Sequence, residues 1–243
     1  MNRYYLPADS WQESGLVLQG EEAKHCSRVM RARAGDRIEV FDGNGCSAVC
    51  EILSVNKGAV ACKLLERVQH RMPDHPMTLC QAIPKGGNME LIVQKSVELG
   101  VNVIQPLITA HTVARPESLA KKQAKWQRIA LEACKQCGQN FLPEVKSPLS
   151  FASWVDQGPS FGLALVASLE DRARHVKSLF EEDPVSGSIA LLVGPEGDFS
   201  EDEYRAVYEL GFQPVSFGEI VMRVETATMY GLSVIQHELS AAE

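Results

Sequence analysis

Two segments of this chain combine glycine-rich turns with charged side chains at the ends of apolar runs. The first is Leu191-Leu192-Val193-Gly194-Pro195-Glu196-Gly197-Asp198-Phe199-Ser200-Glu201-Asp202-Glu203. An apolar strand enters a tight turn and then a helix. The helix start is marked by Ser200-x-x-Glu203, a capping box that satisfies the first free amides. Gly194 and Gly197 allow the backbone to approach a ligand closely, because no Cβ stands in the way; an ordinary strand-to-helix turn has the same spacing. The dinucleotide pattern Gly-x-Gly-x-x-Gly and the phosphate-cradling Gly-x-x-x-x-Gly-Lys-Ser/Thr are both missing from it. Glu196 and Asp198 would repel a phosphate. The chemistry favoured is that of a ligand without phosphates, such as S-adenosylmethionine, whose sulfonium is cationic. The second segment, Phe217-Gly218-Glu219-Ile220-Val221-Met222-Arg223-Val224-Glu225-Thr226-Ala227-Thr228, again leaves a strand, makes an irregular loop and enters a helix. Arg223 is a lone cation among apolar residues. It reads as an exposed charge, as a partner for Glu225, or as a cation aimed into a dry pocket where its field is amplified.

The elements that must position these segments fall into two groups. Residues 1–72 read as a small β-rich unit. Gly15–Leu18 is a short strand, Glu21–Arg31 a helix, and Arg37–Phe41 and Cys46–Leu53 alternate around the turn Asp42-Gly43-Asn44-Gly45. Asn-Gly favours a hairpin because both residues tolerate positive φ. A further strand runs from Gly58 to Leu65. The polar, proline-bearing stretch Gln69–Pro76 reads as a linker, with the boundary at 72/73. From residue 73 to 243 strands and helices alternate: strands at 77–83, 101–108, 161–167, 188–193 and 214–217, and helices at 88–99, 118–137, 171–180, 201–210 and 225–239. Strands that are apolar throughout and spaced by helices predict a parallel sheet covered on both faces, in an α/β fold. Ligands in such sheets bind at the carboxyl ends of the strands.

Composition sets limits on partners. The 243 residues are 45% hydrophobic and 23% charged, an ordinary globular balance that allows a sizeable core. The start, Met1–Pro7, has no apolar signal core, and no apolar run reaches the roughly 18 residues of a membrane helix. A cytoplasmic protein without a membrane is expected. The net charge of −7 argues against a general binder of DNA or other polyanions. Two stretches run against it: Lys24–Arg37, with Arg28, Arg31 and Arg33, and Lys121–Lys135. The seven cysteines are an odd number and lie mostly in apolar segments, as small buried hydrophobes of a reducing compartment. Cys134-x-x-Cys137 is not followed by a second pair, and a zinc site would need two more ligands. No metal is expected.

The two segments together resemble the SPOUT methyltransferases, specifically the 16S ribosomal RNA uridine-N3 methyltransferase family. That family has a Gly-Pro-Glu-Gly-Gly-Phe/Leu-Ser turn and, some twenty residues on, a Leu-Gly-x-Arg-Ile-Leu-Arg-x-Glu-Thr-Ala loop. This chain keeps Gly194-Pro195-Glu196-Gly197, Phe199-Ser200, Gly218, Arg223 and Glu225-Thr226-Ala227. Lys85-Gly86-x-x-Met89-Glu90, Gln94-Lys95-Ser96-x-Glu98-Leu99-Gly100, Gln136–Asn140 and Arg28-Val29-Met30-Arg31 are also similar, so the likeness spans nearly the whole chain. Departures occur at Asn88, Gln139, Asp198, Glu219, Ile220 and the loop Leu169–Ala173. They lose positive charge or change a loop on the expected RNA side.

The resemblance implies a PUA-like β-barrel for RNA binding at 1–72. It implies a SPOUT α/β domain with a deep trefoil knot at 73–243, acting as a homodimer on 16S ribosomal RNA or the small ribosomal subunit. It implies that S-adenosylmethionine is held by Val193, Gly194, Pro195, Glu196, Gly197, Phe217, Gly218, Val221, Met222, Thr226 and Ala227, with Leu169 as a cover for the adenine. Arg223 is the candidate catalytic residue, stabilising the charge left on the uridine carbonyls; Glu196 reads either as a proton acceptor or as a holder of the cofactor, and Glu225 either as a proton acceptor or as the start of the last helix. Arg3, Arg28, Arg31 and Arg33 on the barrel and Lys85 at the sheet edge are the candidate RNA contacts. A methyltransferase acting on another RNA, or a non-catalytic RNA-binding or assembly factor that keeps the fold, stays open on the residues alone.

Overall fold

The computed structural model describes residues 1–12, 15–113, 119–182 and 185–241. The chain divides into two compact units. One comprises Met1–Met72 with Cys134–Leu142, the other Pro73–Ala133 with Pro143–Glu243.

In the first unit, strands β1 (Arg3–Tyr5), β2 (Leu16–Gln19), β3 (Arg37–Phe41), β4 (Cys46–Asn56) and β5 (Ala59–Gln69) form one sheet in the order β1-β3-β4-β5-β2. Only the β1–β3 pair is parallel. Alternate residues of these strands, among them Leu16, Leu18, Ile38, Val40, Cys50, Ile52 and Val60, close on Tyr4 and Cys26 to make the core. The helix expected over 21–31 is split. A short α1 (Gly20–Lys24) widens into a π-helical turn at His25–Val29, where Met30 donates its amide to His25. The wider turn leaves Arg31 in the left-handed region at φ 54° and ends the helix.

In the second unit all strand pairs are parallel. Strands β6 (Met77–Ala82), β7 (Val101–Ile108), β8 (Glu144–Val145), β9 (Leu149–Ser150), β10 (Leu163–Ala167), β11 (Arg174–His175), β12 (Ile189–Val193) and β13 (Gln213–Ser216) form an eight-stranded sheet. Its order is β11-β13-β10-β12-β6-β7-β8, with β9 also paired to β7. The helices are α2 (Asn88–Glu98), α3 (Leu119–Cys137), α4 (Phe151–Asp156), α5 (Val176–Glu182), α6 (Glu201–Glu209) and α7 (Val224–Ala241). Every residue of β12 is buried, as its unbroken apolar run requires of a strand covered on both faces. The helix expected over 171–180 begins later, at Val176. Arg174 and His175 instead pair with Val215 and Ser216 and extend the sheet. Helix α6 opens on the expected capping box: Ser200 accepts from Glu203 N–H, and the Glu203 carboxylate accepts from Ser200 N–H at 2.9 Å. The other Glu203 oxygen accepts from Ala110 N–H at 2.8 Å, which ties the helix start to the chain after β7.

Candidate active site

Three adjacent strands, β13, β10 and β12, end side by side, and the loops that leave them enclose one cavity of about 340 Å3. Ala167, Ser168 and Leu169 come from the end of β10, Val193 to Glu196 and Asp198 from the turn after β12, and Phe217, Gly218 and Ile220 to Val224 from the loop after β13; Ala227 of α7 completes the lining. Both segments singled out in the sequence thus face one space. Of the residues expected to hold a cofactor, Leu169, Val193, Gly194, Pro195, Glu196, Phe217, Gly218, Val221, Met222 and Ala227 line it, together with Arg223. Gly197 and Thr226 do not. Gly197 packs under His111, whose Cβ would lie 3.1 Å from a Cβ added there, and Thr226 is exposed on α7. Sequence reasoning did not count Ala167, Ser168, Asp198, Ile220 and Val224 among the residues holding the cofactor, yet they too line the cavity.

Local backbone chemistry explains the shape. Gly218 has φ 110°, a conformation open to glycine and strained for other residues. A Cβ on Gly194 would meet the Phe199 ring at 3.1 Å, so glycine lets the turn lie over that ring. A Cβ on Gly231 would sit 2.7 Å from Phe217 and 2.9 Å from Leu191; its absence lets α7 press against the floor of the site. Asp198 takes the left-handed conformation at φ 59°. Its carboxylate compensates by accepting from Phe199 N–H and from the Tyr204 hydroxyl, each at 2.8 Å.

The charged groups are ordered around the rim. Glu196 accepts from the backbone N–H of Lys85 at 3.0 Å, which draws the β6–α2 loop to the turn after β12. Asn88 donates its side-chain amide to Glu225 at 3.2 Å, joining α2 to the first turn of α7. Arg223 lines the cavity and is itself exposed. Glu170 sits beyond Leu169. It accepts from the Tyr208 hydroxyl, from Ser168 Oγ at 3.3 Å and from the Arg172 guanidinium at 3.1 Å. Burial opposes ionisation of Glu170, but the bonds from Tyr208, Arg172 and Ser168 outweigh it and lower its pKa. Burial, reinforced by that carboxylate, raises the Tyr208 hydroxyl to about 12.

The candidate RNA contacts separate into two kinds. Arg28, Arg31, Arg33 and Lys85 are exposed. Arg3 is not, and the expectation for it is corrected. It is buried, pairs with Glu39 at 3.3 Å and lies over the Phe41 ring. It donates to the carbonyls of Cys134 and Gln139 at 2.9 and 2.8 Å and to the Asn140 side chain. Its guanidinium satisfies carbonyls at the end of α3, a structural task. Cys134 is likewise buried, with its thiol raised to about 12, chiefly by burial. Among the described residues, no group of three His, Cys, Asp or Glu is placed to hold a metal, and no helix is long and apolar enough to cross a membrane.

The parallel sheet and the cleft at its carboxyl edge belong to the class of RNA methyltransferase domains, a family matched by residues 71–236; residues 18–65 match the RNA methyltransferase PUA domain. Ribosomal RNA small subunit methyltransferase E of Bacillus subtilis is 30% identical over 98% of this chain and 97% of its own length. The protein of that name from Synechocystis is 33% identical over 92% of this chain and 73% of its own. The crystal structure of ribosomal RNA small subunit methyltransferase E from Neisseria gonorrhoeae, bound to S-adenosylmethionine, covers 98% of this chain and 97% of that one, with 32% identity and a TM-score of 0.86. The chain belongs to the ribosomal RNA small subunit methyltransferase E family.

Proposed function

We propose that this protein transfers a methyl group from S-adenosylmethionine to N3 of a uridine in 16S ribosomal RNA. The observation that carries the reading is the convergence of the 194–198 and 217–223 loops on one cavity at the carboxyl edge of a parallel sheet. Its lining suits the methyl donor. The walls are mainly apolar, with a few polar anchors. Glu196 and Asp198 favour a cationic ligand over a phosphate, and the glycines bring backbone groups within reach of an adenosine.

The cofactor supplies an electrophilic methyl group on a positively charged sulfur. The chain's residues must prepare the other reactant. N3 of uridine carries a proton, which has to leave as the new C–N bond forms; the products are the thioether, the methylated base and that proton. As the proton departs, negative charge spreads onto the two carbonyl oxygens of the base. Arg223, a planar fork of donors at the cavity rim, suits that delocalised charge. Glu196, on the cavity wall, and Glu225, in the first turn of α7, are the candidate proton acceptors, each oriented by one donor from the 85–88 segment.

Residues 1–72 are assigned to RNA capture through Arg28, Arg31 and Arg33, and residues 73–243, with Lys85, to chemistry. The reading extends to a trefoil knot, supported by the late insertion of β12 between β6 and β10. It extends to a homodimer, supported by the apolar lip of Leu169, Ile220 and Val221, which are 64, 79 and 72% exposed, and to the cytoplasm, supported by the free thiols of a reducing compartment. Calorimetry with S-adenosylmethionine tests the site, and mass mapping of ribosomal RNA nucleosides with and without the protein tests the product. No cofactor binding would leave an RNA-binding factor that kept the fold; a modification elsewhere would reassign the substrate.

A further inference from the structure

Helix α6 does not line the cavity with its body, yet it touches both of the walls that do. Tyr204 and Tyr208 stand one turn apart on it, with rings stacked 5.7 Å between centroids and 15° from parallel. The Tyr204 hydroxyl donates to Asp198 in the turn after β12. The Tyr208 hydroxyl donates to Glu170 in the loop after β10. Arg172 covers the outer face of the pair, 3.9 Å from the Tyr208 ring centre, and pairs with the same Glu170. Asp198 and Leu169, the neighbour of Glu170, both line the cavity. The helix is well founded: its first turn is boxed by Ser200 and Glu203, and Tyr204 and Val207 are buried against the sheet.

We infer that the stacked Tyr204–Tyr208 pair is a positioning device that holds the two cofactor-facing loops at a fixed separation, and that its hydroxyls set affinity for the methyl donor. The inference rests on the reading of the cavity as an S-adenosylmethionine site. Neither tyrosine is a catalytic residue. Each acts through a carboxylate on a loop that would otherwise have to be ordered at the moment of binding. Leu169 gains most from this, because it is exposed and has little packing of its own to hold it over a ligand. Asp198 needs the bond because its left-handed backbone is strained for a residue with a Cβ. Preorganisation of this kind appears in binding, since the cost of ordering is removed from it.

The test is calorimetric titration of S-adenosylmethionine and S-adenosylhomocysteine into the wild type, Tyr204→Phe, Tyr208→Phe, Glu170→Gln and Glu170→Ala, with the thermal midpoint of each ligand-free protein. The expected result is that each phenylalanine variant weakens both ligands about tenfold, on the scale of one hydrogen bond to a charged group. Glu170→Ala matches Tyr208→Phe, and Glu170→Gln, which still accepts from Tyr208, stays nearer the wild type. The KM for RNA stays within twofold throughout. Affinities within twofold of wild type in both phenylalanine variants would overturn the inference. So would losses that track the ligand-free midpoints with no rescue by glutamine, the mark of general destabilisation. A wild type that binds neither ligand would instead refute the reading of the cavity.

Discussion

The hydroxyl of Thr228 donates to the side-chain oxygen of Gln81 across 2.7 Å, with both side chains sealed from solvent. Thr228 lies in the second turn of α7, and Gln81 near the end of β6. The Val224 carbonyl, 2.9 Å from the same hydroxyl, is a second acceptor, and the Gln81 amide donates to Ala82 O at 2.9 Å. This bond joins the start of α7, and so the Arg223 loop, to the centre of the sheet. Thr228→Val would leave the Gln81 oxygen buried and unpaired, which costs about 1–3 kcal/mol. Urea unfolding should show that loss. The double variant Gln81→Met with Thr228→Val should lose less than the two single losses added together, because removing both partners removes the orphan.

Gly231→Ala is expected to destabilise the protein despite the helical setting. Alanine gains up to about 1 kcal/mol over glycine in a helix interior. Here its Cβ would lie 2.7 Å from Phe217 and 2.9 Å from Leu191, well inside contact distance. Overpacking of that order costs about 1–3 kcal/mol. The Phe217 ring must move, so weakened binding of S-adenosylmethionine should accompany the lower urea midpoint. A variant more stable than wild type would show that the packing yields freely.

Arg223→Ala should leave the affinity for S-adenosylmethionine within a few-fold of wild type and lower kcat by about 10²–10³-fold, the scale of losing one donor to a developing oxyanion. Arg223→Lys should recover little of it, since a point charge does not replace a planar fork. Single-turnover methylation of ribosomal RNA, with calorimetry on the same samples, separates the two effects. Full turnover in the alanine variant would remove Arg223 from the mechanism.

The cavity was legible in the sequence because its parts are local. Each of its main segments is a strand followed by a glycine turn and a helix start, and the spacing survives without knowledge of the fold. What decides the rest is distant in sequence. Nothing near Arg3 announces that it will satisfy carbonyls more than 130 residues away, and a basic residue beside a tyrosine pair reads the same on a surface as in a core. The helix expected at 171–180 starts late because Arg174 and His175 find a partner in β13, a strand some forty residues on. Tyr204 and Tyr208 carry a visible signal, the four-residue spacing on one helix face. Their acceptors, Asp198 and Glu170, lie in separate loops, so only the fold brings out the pairing.

Charge removal on the first unit should weaken RNA capture without touching chemistry. Arg28, Arg31 and Arg33 are exposed, and Arg31 occupies a left-handed position where glycine is better tolerated. Arg31→Gly therefore removes a charge while relieving strain, and any loss of RNA affinity is not a folding defect. With Arg28→Ala it should reduce the slope of log affinity against log salt by about 1–2, near one unit for each phosphate no longer neutralised. Filter binding of ribosomal RNA across a salt series measures the slope. An unchanged slope would place the RNA on another face.

Stability should fall on the alkaline side from about pH 9, and the buried thiols are the reason. Burial raises Cys50 to about 11 and Cys80 to about 12; Cys62 and Cys134 also reach about 12, again mainly through burial, with neighbouring thiols adding to it. In the unfolded chain these thiols return to their ordinary 9.0. Between that value and the folded ones the native state binds more protons than the unfolded state. Rising pH therefore favours unfolding, and the stabilisation present below pH 9 is lost as pH climbs toward 11 or 12. Each such thiol steepens the fall within that window, because unfolding releases its proton. Urea midpoints should hold level from pH 7 to 8.5 and drop steeply by pH 10. Tyr208, raised to about 12, acts in the same direction at higher pH. Replacing Cys80 with alanine lowers the starting stability through the lost packing but should make the alkaline fall shallower, because one of the protons released on unfolding is gone. An equally steep fall in that variant would locate the proton release in other groups.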